Sequence, residues 1–284
     1  MEESGSGSRG SGIVTVMAVA GIVAALSQTL VVPLIGVLPA LLGTTASNAS
    51  WVITVTLLAG AVTTPVMGRL GDLYGKRRMM LVCSVPLVVG CVICAFAGSL
   101  APMVVGRGLQ GMGMGMIPLG ISALRDVLPP HRLGPAIALM SSSMGIGGAL
   151  GLPLSAAVAE YASWRVLFWG SAALSLVVAA LIWLLVPVTP ARARGRIDLL
   201  GALGLGAGLV CLLLGVSKGA DWGWTSGITL GLLGAAVVLL LAWGWWELRV
   251  PRPAGGPARH RPAPGAADER GPRSSSASPC TPSR

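Results

Sequence analysis

One arginine stands inside a long apolar segment, and its neighbours could make it part of a polar site. Arg107 lies in the string VGRGLQGMG, together with Gln110 and Gly111. An arginine within a membrane helix costs about 2.5 kcal/mol or more at the bilayer centre, so it usually faces the protein interior and has a function. The alternative is that its long side chain reaches outward to lipid headgroups. The glutamine and glycine context favours a functional interior residue.

A second polar cluster, GRLGDLYGKRR, follows the second apolar segment. Its glycines permit a tight turn and close helix approach, and a carboxylate at a helix end can hold a neighbouring helix through charge-assisted hydrogen bonds. The alternative is an ordinary basic loop. The residues of interest in this cluster are Gly68, Leu70, Asp72, Gly75, Lys76, Arg77 and Arg78.

A third pattern consists of small residues in the fifth apolar segment, GIGGALGLP. Gly147 and Gly151 have the small-xxx-small spacing at which two membrane helices approach closely. Pro153 follows two places after the second glycine. We interpret this pattern as a helix-packing motif.

The residue types that other chemistry requires are scarce. An intramembrane enzyme needs convergent acid, base, nucleophile or metal ligands, whereas the two histidines fall in a predicted loop and in the tail. Cys91 and Cys94 share a helix face with no histidine or carboxylate nearby in sequence, which favours small buried side chains over a metal pair. The net charge of +10 is spread over loops and the tail, not gathered on one surface with aromatic residues. We therefore predict no enzymatic activity, cofactor, metal site or nucleic-acid partner.

Apolar segments must position these residues, because 54% of the chain is hydrophobic and only 11% is charged. A helix needs about 20 apolar residues to cross the hydrocarbon layer. This criterion predicts an all-α membrane protein, in contact with lipid, with about eight transmembrane helices. The predicted spans are residues 13–42, 51–67, 79–99, 103–124, 135–159, 166–188, 199–217 and 226–246.

The loop charges predict an orientation. Nine Lys and Arg residues follow the second, fourth and sixth spans, whereas the opposite loops carry only Arg165 and Lys218. The positive-inside rule therefore places both ends of the chain in the cytoplasm. We predict a disordered cytoplasmic N-terminus at residues 1–12, a cytoplasmic loop at residues 189–198, and a disordered cytoplasmic tail at residues 251–284. The tail is rich in Pro, Gly and Ser without apolar periodicity, which is typical of disorder.

Together these patterns resemble the major facilitator superfamily of transporters. Residues 68–78 resemble its GxLaDrxGrkr signature, the Arg107 string resembles its RxxQGxG motif, and the fifth-segment glycines resemble its antiporter motif gxxxGPxxGG. The string ASWRVLFW at residues 162–169 resembles the SWRwiF stretch of drug exporters. The resemblance implies that the GRLGDLYGKRR cluster is a conformational latch motif.

The same resemblance implies a domain organisation. Residues 13–188 would form the N-terminal six-helix half of the fold, and residues 199–246 the two additional helices of the fourteen-helix drug:proton antiporter branch. The sequence after residue 250 offers no further apolar segments. We therefore expect a truncated chain that lacks the second half.

The function implied by the resemblance is secondary transport across the inner (plasma) membrane, with export of drugs or other small hydrophobic or amphiphilic compounds by proton antiport. Gln28 and Thr29, polar residues of the first span, become candidates to line the cavity. The predicted spans contain no Asp or Glu, so proton coupling comes from the resemblance alone. Two alternatives stay open: a non-transporting fragment, and a half-transporter that needs a partner or a second copy of itself.

Overall fold

The structure, a computed structural model, describes residues 3–188 and 199–249. Within these ranges the chain is almost entirely helical, as the apolar composition predicts. The predicted loop 189–198 and the predicted tail 251–284 lie outside the described residues. The helices are α1 (Glu3–Thr29), α2 (Leu38–Leu42), α3 (Ala46–Ala49), α4 (Trp51–Tyr74), α5 (Lys76–Phe96), α6 (Leu100–Met112), α7 (Met116–Val127), α8 (Pro130–Tyr161), α9 (Arg165–Leu185), α10 (Leu199–Trp222) and α11 (Gly227–Arg249).

Helix α1 differs at both ends from the first predicted span. It begins at Glu3, so helix replaces the disorder predicted for residues 3–12. Once an apolar helix has formed, each further residue adds a backbone hydrogen bond at small cost. Helix α1 ends at Thr29, because Pro33 has no N–H with which to continue the hydrogen-bond pattern. The rest of the predicted span contains a 3₁₀ turn (Pro33–Gly36) and the short α2.

The fourth predicted span, residues 103–124, is divided. In the part of the chain that the structure describes, seven helices are long and apolar enough to cross a membrane unaided, against eight predicted spans. The missing one folds as α6 and α7, which are joined by a 3₁₀ turn (Gly113–Gly115). Glycine favours the helix weakly, and Pro118 cannot donate a hydrogen bond to the carbonyl of Met114. Both effects interrupt the helix at this point.

The helices extend beyond the apolar segments that predicted them. Asp72, Asp221 and Glu247 consequently lie in the last turns of α4, α10 and α11. The prediction that no acidic residue lies within a span is wrong at these helix ends. The predicted loop that carries the latch motif is also shorter than expected, since only Gly75 separates α4 from α5.

Helix packing places the predicted motifs inside one bundle. Helix α1 packs against α8 and α9, α5 packs against α6 and α9, and α4 packs against α6 and α10. Helices α10 and α11 pack against each other. Helix α11 is apolar around its whole circumference and mostly exposed, which suits contact with lipid.

Candidate functional site

Arg107 is positioned by the close packing of α4, α5 and α6. A Cβ on Gly90 would lie 2.4 Å from the carbonyl oxygen of Gly106, and a Cβ on Gly111 would lie 2.3 Å from the carbonyl oxygen of Thr56. Only glycine permits such approaches, which are common where membrane helices touch. The backbone of α6 is therefore held against both neighbours, and this contact directs the side chain of Arg107.

The guanidinium of Arg107 lies inside the bundle, with only 2% of the residue exposed. The residue is about 10 Å along the helix axis from the first residue of α6. Its Nη1 donates hydrogen bonds to Oε1 of Gln110 at 2.5 Å and to the carbonyl oxygen of Ser27 at 3.3 Å, and its Nη2 donates to Oε1 of Gln28 at 3.4 Å. The predicted site residues Gln28, Arg107 and Gln110 thus meet between α1 and α6.

Gln110 connects this cluster to α5. Its Nε2 donates a hydrogen bond to Sγ of Cys91 at 3.2 Å, and the nearby thiol of Cys94 donates to the carbonyl of Met103 at 3.7 Å. Every hydrogen-bond acceptor that contacts Arg107 is a neutral oxygen. Within residues 3–188 and 199–249, no group of three or more His, Cys, Asp or Glu could hold a metal ion.

Two buried polar atoms of this cluster have no hydrogen-bond partner among the described residues. They are Nε of Arg107 and Oγ of Ser27. A buried donor or acceptor without a partner costs about 1–3 kcal/mol. Because the Ser27 carbonyl accepts from Arg107, the two atoms belong to residues in direct contact. The cluster therefore has unused hydrogen-bonding capacity.

The latch motif joins α5 to α7 at one end of the bundle, here called the latch end. Nζ of Lys76 lies 2.5 Å from Oδ2 of Asp126 and donates a hydrogen bond to the carbonyl of Ser122 at 2.9 Å. Both charged side chains are buried, with 7% and 4% of their surface exposed. A cation in the first turn of a helix opposes the helix dipole, so this ion pair also compensates an unfavourable position.

Arg77 joins the same helix end to α9. It donates a hydrogen bond to the carbonyl of Trp183, and its guanidinium carbon lies 5.2 Å from the centre of the Trp183 ring. Arg78 is exposed. Gly75, between the helices, has φ of +95°, a backbone conformation that side-chain-bearing residues rarely adopt. Lys76 and Arg77, directly after this glycine, therefore connect the start of α5 to α7 and α9.

The other residues of the latch motif make fewer contacts. Asp72 is partly buried and forms no hydrogen bond or ion pair with the residues that the structure describes. Leu70 is partly buried, and Gly68 has no neighbouring atom within 4 Å of the place a Cβ would occupy. The structure brings Lys76 and Arg77 to neighbouring helices but leaves Asp72 without a partner on them.

The span-five motif forms the contact between α1 and α8. A Cβ on Gly147 would lie 2.4 Å from the carbonyl oxygen of Ile22, and a Cβ on Gly151 would overlap the hydroxyl of Thr29. Thr29 itself donates its hydroxyl hydrogen within α1. Pro153 lies on the exposed side of α8. The two glycines thus set the position of the α1 segment that carries Ser27 and Gln28.

A polar cluster at the opposite end of α4 was not predicted from the sequence. Nζ of Lys218, a residue that is 1% exposed, lies 2.8 Å from Oδ2 of Asp221 and donates to the carbonyl of Ser47 at 2.7 Å and to Oγ of Ser50 at 2.5 Å. Ser47 also donates to Asp221 at 2.9 Å, and Lys218 lies over the ring of Trp51. This opposite-end cluster fastens α10 to α3 and α4. The Lys-xx-Asp spacing on one helix could have indicated it.

Comparison with known proteins identifies the kind of molecule to which this site belongs. The model of the Major Facilitator Superfamily matches residues 17–202. An uncharacterized transporter of this superfamily type from Mycobacterium tuberculosis is 34% identical over 239 residues, which cover 84% of this chain and 35% of the relative. The tetracenomycin C resistance and export protein of Streptomyces glaucescens is 33% identical, with 73% of this chain and 39% of that protein covered.

Another relative is the multidrug export protein EmrB of Haemophilus influenzae, which is 30% identical over 75% of this chain and 42% of its own length. This chain therefore spans less than half of the length of these curated relatives. Among solved structures, the human organic anion transporter MFSD10 has a TM-score of 0.58 at 17% identity, over 74% of this chain and 56% of that one. The POT family transporter PepTSo has a TM-score of 0.57 at 18% identity, over 81% of this chain and 51% of that one. At these identities the likeness concerns the fold alone. From the match over residues 17–202, the chain belongs to the major facilitator superfamily of membrane transporters.

Proposed function

We propose that this chain forms the first six-helix half and the additional helix pair of an exporter of small hydrophobic or amphiphilic molecules. The observation that carries the proposal is the buried cluster of Arg107, Gln28 and Gln110, which connects α1 and α6 inside the bundle. Buried cations in membrane helices are costly and usually mark a transport pathway. The names of the tetracenomycin C and multidrug export relatives support export as the direction.

We place the protein in the inner (plasma) membrane with its latch end towards the cytoplasm. The support is the charge pattern of the sequence, because nine basic residues follow the second, fourth and sixth predicted spans on this side and two lie between predicted spans on the other. Both ends of the chain then lie in the cytoplasm. Cys280, in the tail, provides a test: an impermeant thiol reagent should label it only after the cytoplasmic face has been opened.

Proton antiport is the coupling that the resemblance to the drug:proton antiporter branch suggests. The acidic residues of the described spans lie near helix ends, as Asp72 and Asp221 do, and the partners of Arg107 within residues 3–188 and 199–249 are neutral. The group that takes up and releases the proton would therefore be a helix-end carboxylate or a residue contributed by another part of the transporter.

A transport cavity of this kind needs a second wall. Alternating access in the superfamily proceeds by rocking of one half against the other around a site near the bilayer midplane. We propose that a further six-helix half supplies this wall, either in the same polypeptide or as a second copy of this chain. A fragment without transport activity is the competing interpretation.

The test compares the chain alone with a chimaera in proteoliposomes. The chimaera joins residues 1–188 to the remainder of the Mycobacterium tuberculosis relative, with the matched variant Asp72→Asn as a control for the latch motif. We expect dye efflux driven by a proton gradient from the chimaera, at least severalfold less from its Asp72→Asn variant, and none from the chain alone. A correctly inserted chimaera without efflux would contradict the proposal, and saturable efflux from the chain alone would favour a second copy as the partner.

A further inference from the structure

The hydrogen bonds of Arg107 leave part of its guanidinium unused. The group carries five N–H donors and cannot lose its charge. Charge-assisted hydrogen bonds from nitrogen normally measure about 2.7–2.9 Å, whereas the contacts to Ser27 and Gln28 measure 3.3 and 3.4 Å. Only the bond to Gln110 is short, and Nε has no hydrogen-bond partner among the described residues. A better acceptor could therefore replace two long contacts and satisfy a free donor.

The electrostatic environment of Arg107 differs from that of the other buried cations. Three basic side chains are buried in the described part of the chain, and two of them, Lys76 and Lys218, form ion pairs with aspartates. Arg107 forms no ion pair with any described residue, and its acceptors are two side-chain amides and one backbone carbonyl. A buried charge without a counter-charge is strongly unfavourable. An anion placed here would relieve that cost.

The side chain of Gln28 covers one side of the Arg107 cluster. Gln28 is only partly buried, whereas Arg107 and Gln110 are each 2% exposed. The side chain of Gln28 accepts a single long hydrogen bond from Nη2 of Arg107. It also has rotatable bonds that allow it to move away from the guanidinium. The exposed edge of Gln28 is therefore the point from which a ligand would reach the guanidinium.

We propose that Arg107, with Gln28 as its movable cover, recognises an anionic group of the transported compound, such as a carboxylate, sulfonate or phenolate. This inference rests on the proposed function and names the substrate class: amphiphilic organic anions rather than cations. The apolar part of the compound would contact the apolar helix faces, while the anionic group replaces the Gln28 amide on Nη2 and accepts from Nε.

The experiment measures binding rather than transport, so that it does not depend on a second half. The full 284-residue chain is purified into nanodiscs of zwitterionic lipid. Two dyes that share the xanthene scaffold serve as probes, the anionic fluorescein and the cationic rhodamine 123. Binding is followed by fluorescence polarisation, with empty nanodiscs subtracted. We expect fluorescein to bind at least about tenfold more tightly than rhodamine 123, as a hydrogen-bonded charge pair contributes about that much.

Variants of Arg107 and Gln28 then test whether these residues cause the preference for fluorescein. Arg107→Gln should weaken fluorescein binding by about tenfold or more and leave rhodamine 123 binding unchanged or stronger. Gln28→Glu, which keeps the side-chain shape but supplies a carboxylate beside the guanidinium, should reverse the preference. Gln28→Met, of similar length and uncharged, should keep it. If Arg107→Gln does not fold by size-exclusion chromatography and circular dichroism, the pair of Gln28 variants decides, since both retain Arg107.

Each outcome is informative. Equal binding of the two dyes, or a preference that Arg107→Gln and Gln28→Glu do not alter, would overturn anion recognition and leave the proposed export function standing. Absence of binding by both dyes would overturn anion recognition by this chain, whereas the proposed export function is decided separately by efflux from the chimaera. A preference for fluorescein in the wild type that only Gln28→Glu reverses, and not Gln28→Met, supports the assignment.

Discussion

At each end of the helix bundle a buried lysine is paired with an aspartate, whereas the buried arginine between the two ends contacts only neutral atoms in the described part of the chain. Lys76 and Asp126 join α5 to α7 at the latch end, and Lys218 and Asp221 lie together on α10 at the opposite end. A buried ion pair compensates its own charge and holds helices in register. Arg107 lacks this compensation within the described residues, so the ends are suited to stability and the middle to ligand binding.

The two paired ends are not equivalent. At the latch end both partners are buried and come from different helices, with 7% and 4% of their side-chain surface exposed. At the opposite end Lys218 is buried, but 33% of the side chain of Asp221 is exposed, and water screens such a pair. The latch-end pair should therefore contribute more to stability.

The largest expected effect follows from removing the carboxylate at the latch end. Asp126→Asn leaves the charge of Lys76 buried without its ion-pair partner, which typically costs about 3–5 kcal/mol. We expect the free energy of unfolding in mixed micelles, measured by denaturing-detergent titration, to fall by this amount. The double variant Asp126→Asn with Lys76→Met removes both charges and should recover most of the loss. A fall of less than about 1 kcal/mol, or a double variant no more stable than the single one, would contradict a strong contribution of the latch-end ion pair to stability.

A smaller effect is expected from the glycines that position Ser27 and Gln28 beside the arginine. Gly147→Ala places a Cβ 2.4 Å from the carbonyl oxygen of Ile22, and overpacking of this kind typically costs about 1–3 kcal/mol. The matched control is Gly145→Ala on the same helix, where nothing lies within 4 Å of the new Cβ. Unfolding titrations should show a loss for the first variant only, together with weaker fluorescein binding. Equal stability of the two variants would show that the α1–α8 contact does not set the position of Ser27 and Gln28 beside Arg107.

The smallest effect is expected at the opposite end. Asp221→Asn keeps a hydrogen-bond acceptor beside Lys218 and removes only a partly exposed charge. We expect its thermal unfolding midpoint to fall by less than that of Asp126→Asn, and to move closer to the wild-type value at high salt, because salt screens exposed charges. A larger fall than that of Asp126→Asn would invert the ranking of the two ends.

The sequence predicted the helical membrane fold and the positions of the motifs because these depend on local patterns. An arginine in an apolar run is recognisable from insertion cost alone, and the spacing of Gly147 and Gly151 indicates helix contact. The division of the fourth span could have been foreseen from its glycines and Pro118. What local patterns could not show is which helix each motif contacts.

The missed residues illustrate this limit. Asp126 follows a predicted span at the same membrane face as Lys76, but the pairing of the two residues depends on how α5 and α7 pack. Likewise, the hydrogen bond from Gln110 to Cys91 arises from the close approach of α5 and α6. Such contacts join residues distant in sequence, and no periodicity of a single helix encodes them.

The central claim, that Arg107 carries a buried charge available to an anion, is tested most directly by ligand-induced thermal stabilisation. A ligand that binds only the folded state raises the unfolding midpoint. Fluorescein should therefore raise the midpoint of the wild-type chain in nanodiscs. Gln28→Glu should unfold at a higher temperature than the wild type without ligand, because it supplies the counter-charge internally, and fluorescein should shift it no further. Equal fluorescein shifts in the two proteins, or a lower midpoint for Gln28→Glu than for Gln28→Met, would contradict the account.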